Sequence, residues 1–319
     1  ELLSPDGTVE KVDAIVLAGG SGFLGRALAE RFSSTGYEVV VLGRSALPND
    51  YPKARFVAWD AKSRGSWEKE IDGAGVLINL CGRSVDCRYN DENRRLIINS
   101  RVQATTILGE ACAAATDPPK TWLNASTATI YSDRRGDHPS HDENSEELGH
   151  GFSVGVAKSW EKSFYRQDLP GVRRVALRIS IILGQEGGAF PVMRRFAKLG
   201  LGGRQGSGSQ WMSWLHLGDW LGIIEWLLKN EQITGAVNLA APNPVTNAVF
   251  MREMRRRFAP LGIGFPAPAF AVRFGAFFLR TAPELVLKSR KVVSRVLADG
   301  GYAFQYPTIE EAIEDLSAT

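Results

Sequence analysis

Three glycines at spacing three and three, in Gly19-Gly20-Ser21-Gly22-Phe23-Leu24-Gly25, stand between a short apolar run and a helical pattern. A strand-to-helix turn built this way presents backbone N–H groups to an anion, and the positive end of the helix dipole adds to the attraction. The pattern predicts a dinucleotide cradle. Gly19, Gly20 and Gly22 let a pyrophosphate approach the backbone, Gly25 lets the helix lie close on the sheet, and Ser21, Phe23 and Leu24 complete the turn. The next apolar run ends in Gly43-Arg44, nineteen residues after Gly25. An acidic residue there would bind the ribose hydroxyls of NAD, whereas an arginine forks onto the 2′-phosphate of NADP. Arg44 therefore points to NADP(H), with a solvated surface arginine as the plain alternative. Asp60 serves either an adenine amino group or its own turn. Leu80-Cys81-Gly82 closes a later run, beside the adenine ribose.

These residues need a frame, and short apolar runs alternating with helical patterns supply one. Strands are expected at 14–18, 38–42, 55–59, 76–80, 121–124 and 174–179, several of them apolar throughout, as strands buried on both faces are. Helices are expected at 24–35, with Leu24, Ala27, Leu28 and Phe32 on one face, and at 94–115, with Ile97, Ile98, Val102, Ile107, Leu108 and Cys112 inward. The fold class is α/β, a Rossmann-type doubly wound parallel sheet with a smaller, mainly helical C-terminal substrate lobe. The boundaries expected are an N-terminal tail at 1–12 and a dinucleotide-binding domain at 13–184, to which 213–241 return with a helix at 219–229 and a strand at 236–239. The capping lobe takes 185–212 and 242–319. Residues 133–151, rich in Asp, His, Ser, Gly and Glu, read as an exposed loop before a helix starting near Ser153.

Composition narrows the classes. With 319 residues, 44% hydrophobic and 23% charged, the chain is an ordinary globular one. A net charge of +3 from 38 basic and 35 acidic residues argues against a nucleic-acid partner. Cys81, Cys87 and Cys112 form neither a disulfide framework nor a zinc spacing, which points to a reducing compartment, the cytosol. No apolar run of eighteen residues marks a membrane span, and the first residues do not read as a secretion signal. His138, His141, His150 and His216 are too irregularly spaced for zinc, so no metal is expected.

The chain resembles the short-chain dehydrogenase/reductase superfamily, in its extended branch of nucleotide-sugar epimerases and dehydratases. Within that branch it resembles an atypical subgroup of epimerase-family proteins, also called nucleoside-diphosphate-sugar epimerases or SulA-type proteins, which carry a C-terminal domain of unknown function. The residues that carry the likeness are the glycine turn, Trp59-Asp60, Asn99-Ser100-Arg101-Val102, Gly202-Gly203-Arg204, Trp211-Met212-Ser213-Trp214-Leu215-His216, Ala241-Pro242-Asn243-Pro244-Val245-Thr246-Asn247 and Tyr306-Pro307-Thr308.

In the superfamily a tyrosine and a lysine four residues later move a proton while hydride passes to or from the nicotinamide. The resemblance gives Lys158 the role of holding the nicotinamide ribose, but the residue four positions earlier is Val154, which carries no proton. It also gives Thr127, or Ser126 beside it, contact with a substrate oxygen, against a strand hydroxyl satisfied by backbone. Arg101 becomes a cofactor contact, against a helix-surface salt bridge, and the Ile181 backbone meets the nicotinamide amide. Homodimerisation through helices that include 94–115 is implied as well.

Other features have bland readings beside the sharp ones. His216 either lines a substrate pocket or packs structurally; Trp211, Trp214 and Trp220 form either a stacking wall or core. The basic run 251–257 reads as a solvated helix face. The function expected is an NADP(H)-dependent oxidoreductase or epimerase-like enzyme acting on a small polar molecule. The alternative is a non-catalytic NADP-binding redox-sensing or structural partner that kept the cofactor fold after losing its tyrosine.

Overall fold

The computed structural model describes residues 14–260, 262–270 and 287–318. The N-terminal tail at 1–12, and 271–286 of the capping lobe, lie outside the described residues. Seven strands form one parallel sheet: β1 (Ile15–Ala18), β2 (Val39–Gly43), β3 (Arg55–Ala58), β4 (Val76–Asn79), β5 (Thr121–Thr127), β6 (Arg173–Ile179) and β10 (Gly235–Leu239). Their order is β10-β6-β5-β4-β1-β2-β3. Ile15 pairs with Val39 on one side and Val76 on the other, so the order reverses at β1 and β4, the place where open α/β sheets form a ligand crevice.

The strand period of two decides how the faces are covered. Ile15, Leu17, Val39 and Val41 point to one face, where they share a core with Leu28 and Phe32 of α1 (Phe23–Ser34) and with Trp220, Ile223 and Leu227 of α5 (Leu217–Lys229). Val16, Ala18, Val40 and Leu42 point to the other face. There they meet Ala104 and Leu108 of α2 (Asp91–Ala114) and Phe164 of α3 (Phe152–Tyr165).

The first core does not stop at the sheet. It continues through Leu183 of β7 (Ile181–Leu183), Phe190 of α4 (Phe190–Lys198) and Met212 of β8 (Trp211–Met212). Beyond them it takes in Trp214 of β9 (Trp214–His216), Phe250 and Met254 of α6 (Asn247–Phe258), Leu297 of α7 (Arg295–Asp299) and Ile309 of α8 (Ile309–Asp315). Trp214 and Trp220 are fully buried, which makes them core and not a stacking wall. The last described strand, β11 (Val245–Thr246), pairs antiparallel with β8.

Local chemistry sets the helix limits. α2 begins three residues earlier than the apolar periodicity indicates, because the Asn90 side chain accepts the Asn93 N–H and Asp91 and Glu92 favour the helix N-terminus. Its inward face is Ile97, Ala104, Thr105, Leu108, Gly109, Ala111 and Cys112; Ile98, Val102 and Ile107 sit half-buried on its flanks. On α1, Ala29 is buried and Ala27 only partly so.

The segment 133–151 is not an exposed loop throughout. His141 is buried and stacks on Tyr131, and its backbone exchanges hydrogen bonds with Lys291 and Val293. The Glu143 carboxylate accepts from the Asn238 N–H, the Ser294 hydroxyl and the Arg295 N–H. A segment of polar composition is thus drawn inward where the Glu143 carboxylate and the His141 backbone find partners.

Candidate functional site

The crevice opens where three strand ends meet. After β1 the chain turns through Gly19, whose φ of 73° is left-handed and whose missing Cβ would stand 2.9 Å from the Cys81 backbone beyond β4. Gly22 caps α1 with no side chain, no acidic residue occupies the first helical turn, and the space beside its Cα is open for at least 4 Å. A Cβ on Gly25 would overlap the Gly20 backbone, so this glycine seats the helix on the turn itself rather than on the sheet. Ser21 is exposed at the tip of the turn. The Phe23 ring turns away to pack on Gly184 and Gly187, and Leu24 packs on the first core, so both offer the crevice backbone rather than side chain.

Gly43 ends β2 and its carbonyl accepts the Trp59 N–H. Arg44 follows, exposed and with no hydrogen-bond or ion-pair partner among the described residues. The chain beyond it is strapped back onto the glycine turn. The Tyr51 hydroxyl donates to the Gly20 carbonyl at 2.8 Å, and Arg26 of α1 holds both the carbonyl and the carboxylate of Asp50. Asp60 uses one carboxylate oxygen to accept the Lys62 and Ser63 N–H groups, both at 2.8 Å, and these bonds hold its pKa below the usual range. The turn reading is therefore realised.

Beyond β4, the Leu80 N–H donates to the Ala18 carbonyl and the Cys81 N–H to the Asn79 side chain. Burial pushes the Cys81 thiol up to about 12, so its sulfur stays protonated at neutral pH. Asn79 also donates to Thr105 and Asn124, and Trp160 of α3 donates to Thr105, so one buried network fixes the ends of β4 and β5 against α2 and α3. Arg101 of α2 lies against Gly82, which has no side chain to keep it away. Its Nη1 donates to the carbonyls of Arg83 and Ile97, and its guanidinium stands 5.0 Å from the Trp160 ring centre. It has no carboxylate partner among the described residues, which removes the salt-bridge alternative, and burial lowers its pKa to about 10.

At the end of β5 the two hydroxyls part. Ser126 is only 2% exposed and donates to Glu161 Oε1 at 2.6 Å, so it is not available to a substrate. Glu161 in turn forms a bidentate pair with Arg178, the cross-strand neighbour of Ser126, at 2.9 Å for each bond and with both side chains 12–13% exposed. Arg178 also donates to the Tyr131 hydroxyl, which donates to Asn238. Thr127 is only partly buried. Its hydroxyl accepts the Thr129 N–H and pairs with the Thr129 hydroxyl, which is the local strand-end satisfaction weighed against substrate contact. Lys158 of α3 is exposed, and its Nζ donates to the Gly149 carbonyl at 3.2 Å, while Val154 is buried under Gly149.

The Ile181 N–H donates to the Ser213 carbonyl in the β7–β9 ladder. His216 caps α5 by accepting the Gly218 N–H and packs against the tilted Tyr306 ring, a structural role, and burial lowers its pKa.

The sequence profile of the NAD dependent epimerase/dehydratase family matches residues 15–240, and that of a domain of unknown function, DUF1731, matches 267–316. The chain belongs to the NAD dependent epimerase/dehydratase family. Within this family it is 30% identical over 305 residues to the epimerase family protein YfhF of Bacillus subtilis, covering 95% of this chain and 98% of that one. It is 27% identical to the human epimerase family protein SDR39U1 (isoform 2), solved with NADPH, with a TM-score of 0.82 over 96% of this chain and 99% of the other. A nucleoside-diphosphate sugar epimerase from Corynebacterium glutamicum is 28% identical with a TM-score of 0.75; the match covers 96% of this chain and 58% of that protein.

The glycine turn, Arg44, Asp60, Leu80-Cys81-Gly82 and Thr127 stand at the carboxyl ends of the neighbouring parallel strands β1 to β5, and Arg101 and Lys158 come from α2 and α3. The Ser126 hydroxyl and the Ile181 N–H are engaged within the protein itself. Sequence reasoning missed Tyr51, Glu161 and Arg178. Arg178 had a signal, a charge inside the apolar run of β6; so did Glu161, three residues beyond Lys158 on the same helix. Tyr51 had none, because its contact with Gly20 spans 31 residues of chain. No helix among the described residues is long and apolar enough to cross a membrane.

Proposed function

We propose that the chain binds NADP(H) and acts as an oxidoreductase or epimerase-like enzyme on a small polar molecule. The observation that carries this reading is the pairing of an uncapped, acid-free helix start with Arg44, a cation at the end of β2 that no carboxylate among the described residues pairs with. The human relative solved with NADPH supports it. When bound, the nicotinamide would supply or take up hydride.

The chain's own residues then have distinct tasks. The N–H groups of 20–22 hold the pyrophosphate, Arg44 the 2′-phosphate, the second carboxylate oxygen of Asp60 the adenine amino group, and Leu80-Cys81-Gly82 with Arg101 the ribose and phosphate between them; the Gly19 N–H is held by the Leu42 carbonyl. Lys158 exchanges the Gly149 carbonyl for the hydroxyls of the nicotinamide ribose. Thr127 turns its hydroxyl from Thr129 to a substrate oxygen. Val154 can neither give nor take a proton, so the proton that balances hydride transfer comes from water or the substrate itself. The free thiols Cys81, Cys87 and Cys112 support a reducing compartment, the cytosol.

The test has two stages. Calorimetric titration should show NADPH bound more tightly than NADH, and NADPH should then be oxidised by at least one member of a carbonyl panel, a turnover abolished by Lys158→Ala. The buried Val154 favours a second reading, a cofactor-binding protein without turnover; tight NADPH uptake with no oxidation by any panel member would select it.

A further inference from the structure

Residues 44–54, which join β2 to β3, form no helix and are tied back to the glycine turn through Tyr51. The tie is held from several sides. The Tyr51 N–H donates to the Pro48 carbonyl at 3.0 Å, and Pro48 and Pro52 fix φ before and after it. Arg26 Nη2 donates to the carbonyl and the carboxylate of Asp50 at 2.7 and 3.0 Å, and its guanidinium stands 5.8 Å from the centre of the Tyr51 ring. Leu47, Tyr51 and Ala54 pack against the first core. A ring confined by chain, cation and core leaves its hydroxyl little choice of direction. Burial pushes the Tyr51 phenol up to about 12, so it remains a donor at neutral pH.

That donor settles the direction of one peptide unit. A trans peptide is planar, with its C=O and N–H antiparallel, so a Gly20 carbonyl turned to Tyr51 sends the Ser21 N–H the opposite way. Ser21 is exposed at the tip of the turn. Among the described residues the Ser21 and Gly22 N–H groups, unlike that of Gly19, have no hydrogen-bond partner. Backbone beside glycine reorients easily, and half a turn of this peptide would present a carbonyl to a phosphate in place of an amide. Repulsion would then replace attraction.

We propose that Tyr51 is a positioning residue of the cofactor site, holding the Gly20–Ser21 peptide with its N–H ready for the pyrophosphate before the cofactor binds. The proposal rests on the NADP(H)-binding reading of the same crevice. An ordering cost removed in advance appears as affinity. The pyrophosphate is common to NADPH and NADH, so loss of the Tyr51 hydroxyl weakens both alike, whereas loss of Arg44 falls on NADPH.

Tyr51→Phe in the full chain removes the hydroxyl and keeps the ring. Calorimetric titration should show NADPH and NADH each bound about three- to tenfold more weakly, the size of one net hydrogen bond, and by the same factor within twofold. Replacing Tyr51 by 4-aminophenylalanine, which restores a donor at the same ring position, should return both affinities to within twofold of the wild type. A tie that only steadies the fold would lower the melting temperature of the free Tyr51→Phe protein and leave both affinities within twofold of the wild type; that result would overturn the proposal. So would a loss confined to NADPH, which would make Tyr51 a support of Arg44, and so would a loss that the amino analogue does not repair. Should Tyr51→Phe not fold, Arg26→Gln, which frees Asp50 beside Tyr51, carries the test: a smaller loss equal for both cofactors supports the proposal, and no loss, or loss for NADPH alone, overturns it. Failure of the underlying reading is distinct, since the wild type itself would then take up neither cofactor.

Discussion

At the scale of single residues, charge without a partner is the most informative feature of the crevice. Arg44 is exposed and Arg101 is largely enclosed, yet neither meets a carboxylate among the described residues. A hydrogen bond to a charged group contributes about 1.5–3 kcal/mol, and tenfold in affinity corresponds to about 1.4 kcal/mol. Arg44→Ala should accordingly weaken NADPH by roughly ten- to a hundredfold and leave NADH within about threefold, as read by fluorescence titration. Equal losses for both cofactors would show that Arg44 does not read the 2′-phosphate. Much of this was visible in the sequence, because the glycines and Arg44 act through local chain geometry. What was not visible was the direction of each side chain. Ser126 and Thr127 are adjacent and chemically alike, but strand alternation sends one to Glu161 and leaves the other at the crevice.

At the scale of elements, the Glu161–Arg178 pair joins α3 to β6 and, through Ser126, to β5. Removing one member of a buried pair costs about 3–5 kcal/mol, because the other charge is left stranded, while replacing both by apolar groups costs far less. Arg178→Met should therefore destabilise more in urea than Glu161→Met/Arg178→Met, and a double variant less stable than the single one would contradict this account.

The polar segment between β5 and α3 has its own signature. His141 is buried beside Arg134, and burial and that cation lower its pKa below the ordinary value of about 6.5. The folded state then binds the proton less readily than the unfolded chain. Stability is full above about 6.5 and falls as the pH drops from there through the lower folded-state value. The melting temperature should decline on acidification across this window, with a shallower slope in His141→Gln. An unchanged slope would place the proton elsewhere. The strands of the sheet followed from apolar runs, but the inward course of this segment did not, since composition cannot register partners supplied by residues 291–295 from the far end of the chain.

At the scale of the whole molecule, ligand binding should appear as stability. A ligand at a hundred times its dissociation constant adds about 2.7 kcal/mol, which corresponds to roughly 5–10 °C at about 2–4 °C per kcal/mol for chains of 150–250 residues, and somewhat less for a longer one. NADPH should raise the melting temperature by several degrees and NADH by less, and no shift with saturating NADPH would count against cofactor binding. The apolar face shared by Ile15, Trp220, Phe250 and Ile309 also runs unbroken from the first strand to the last helix. Residue 240, where the match to the epimerase/dehydratase profile ends, is therefore not a boundary of folding. A fragment cut there would lose the cover over its own interior and precipitate or melt early, whereas the intact chain should show one heat-absorption peak in scanning calorimetry.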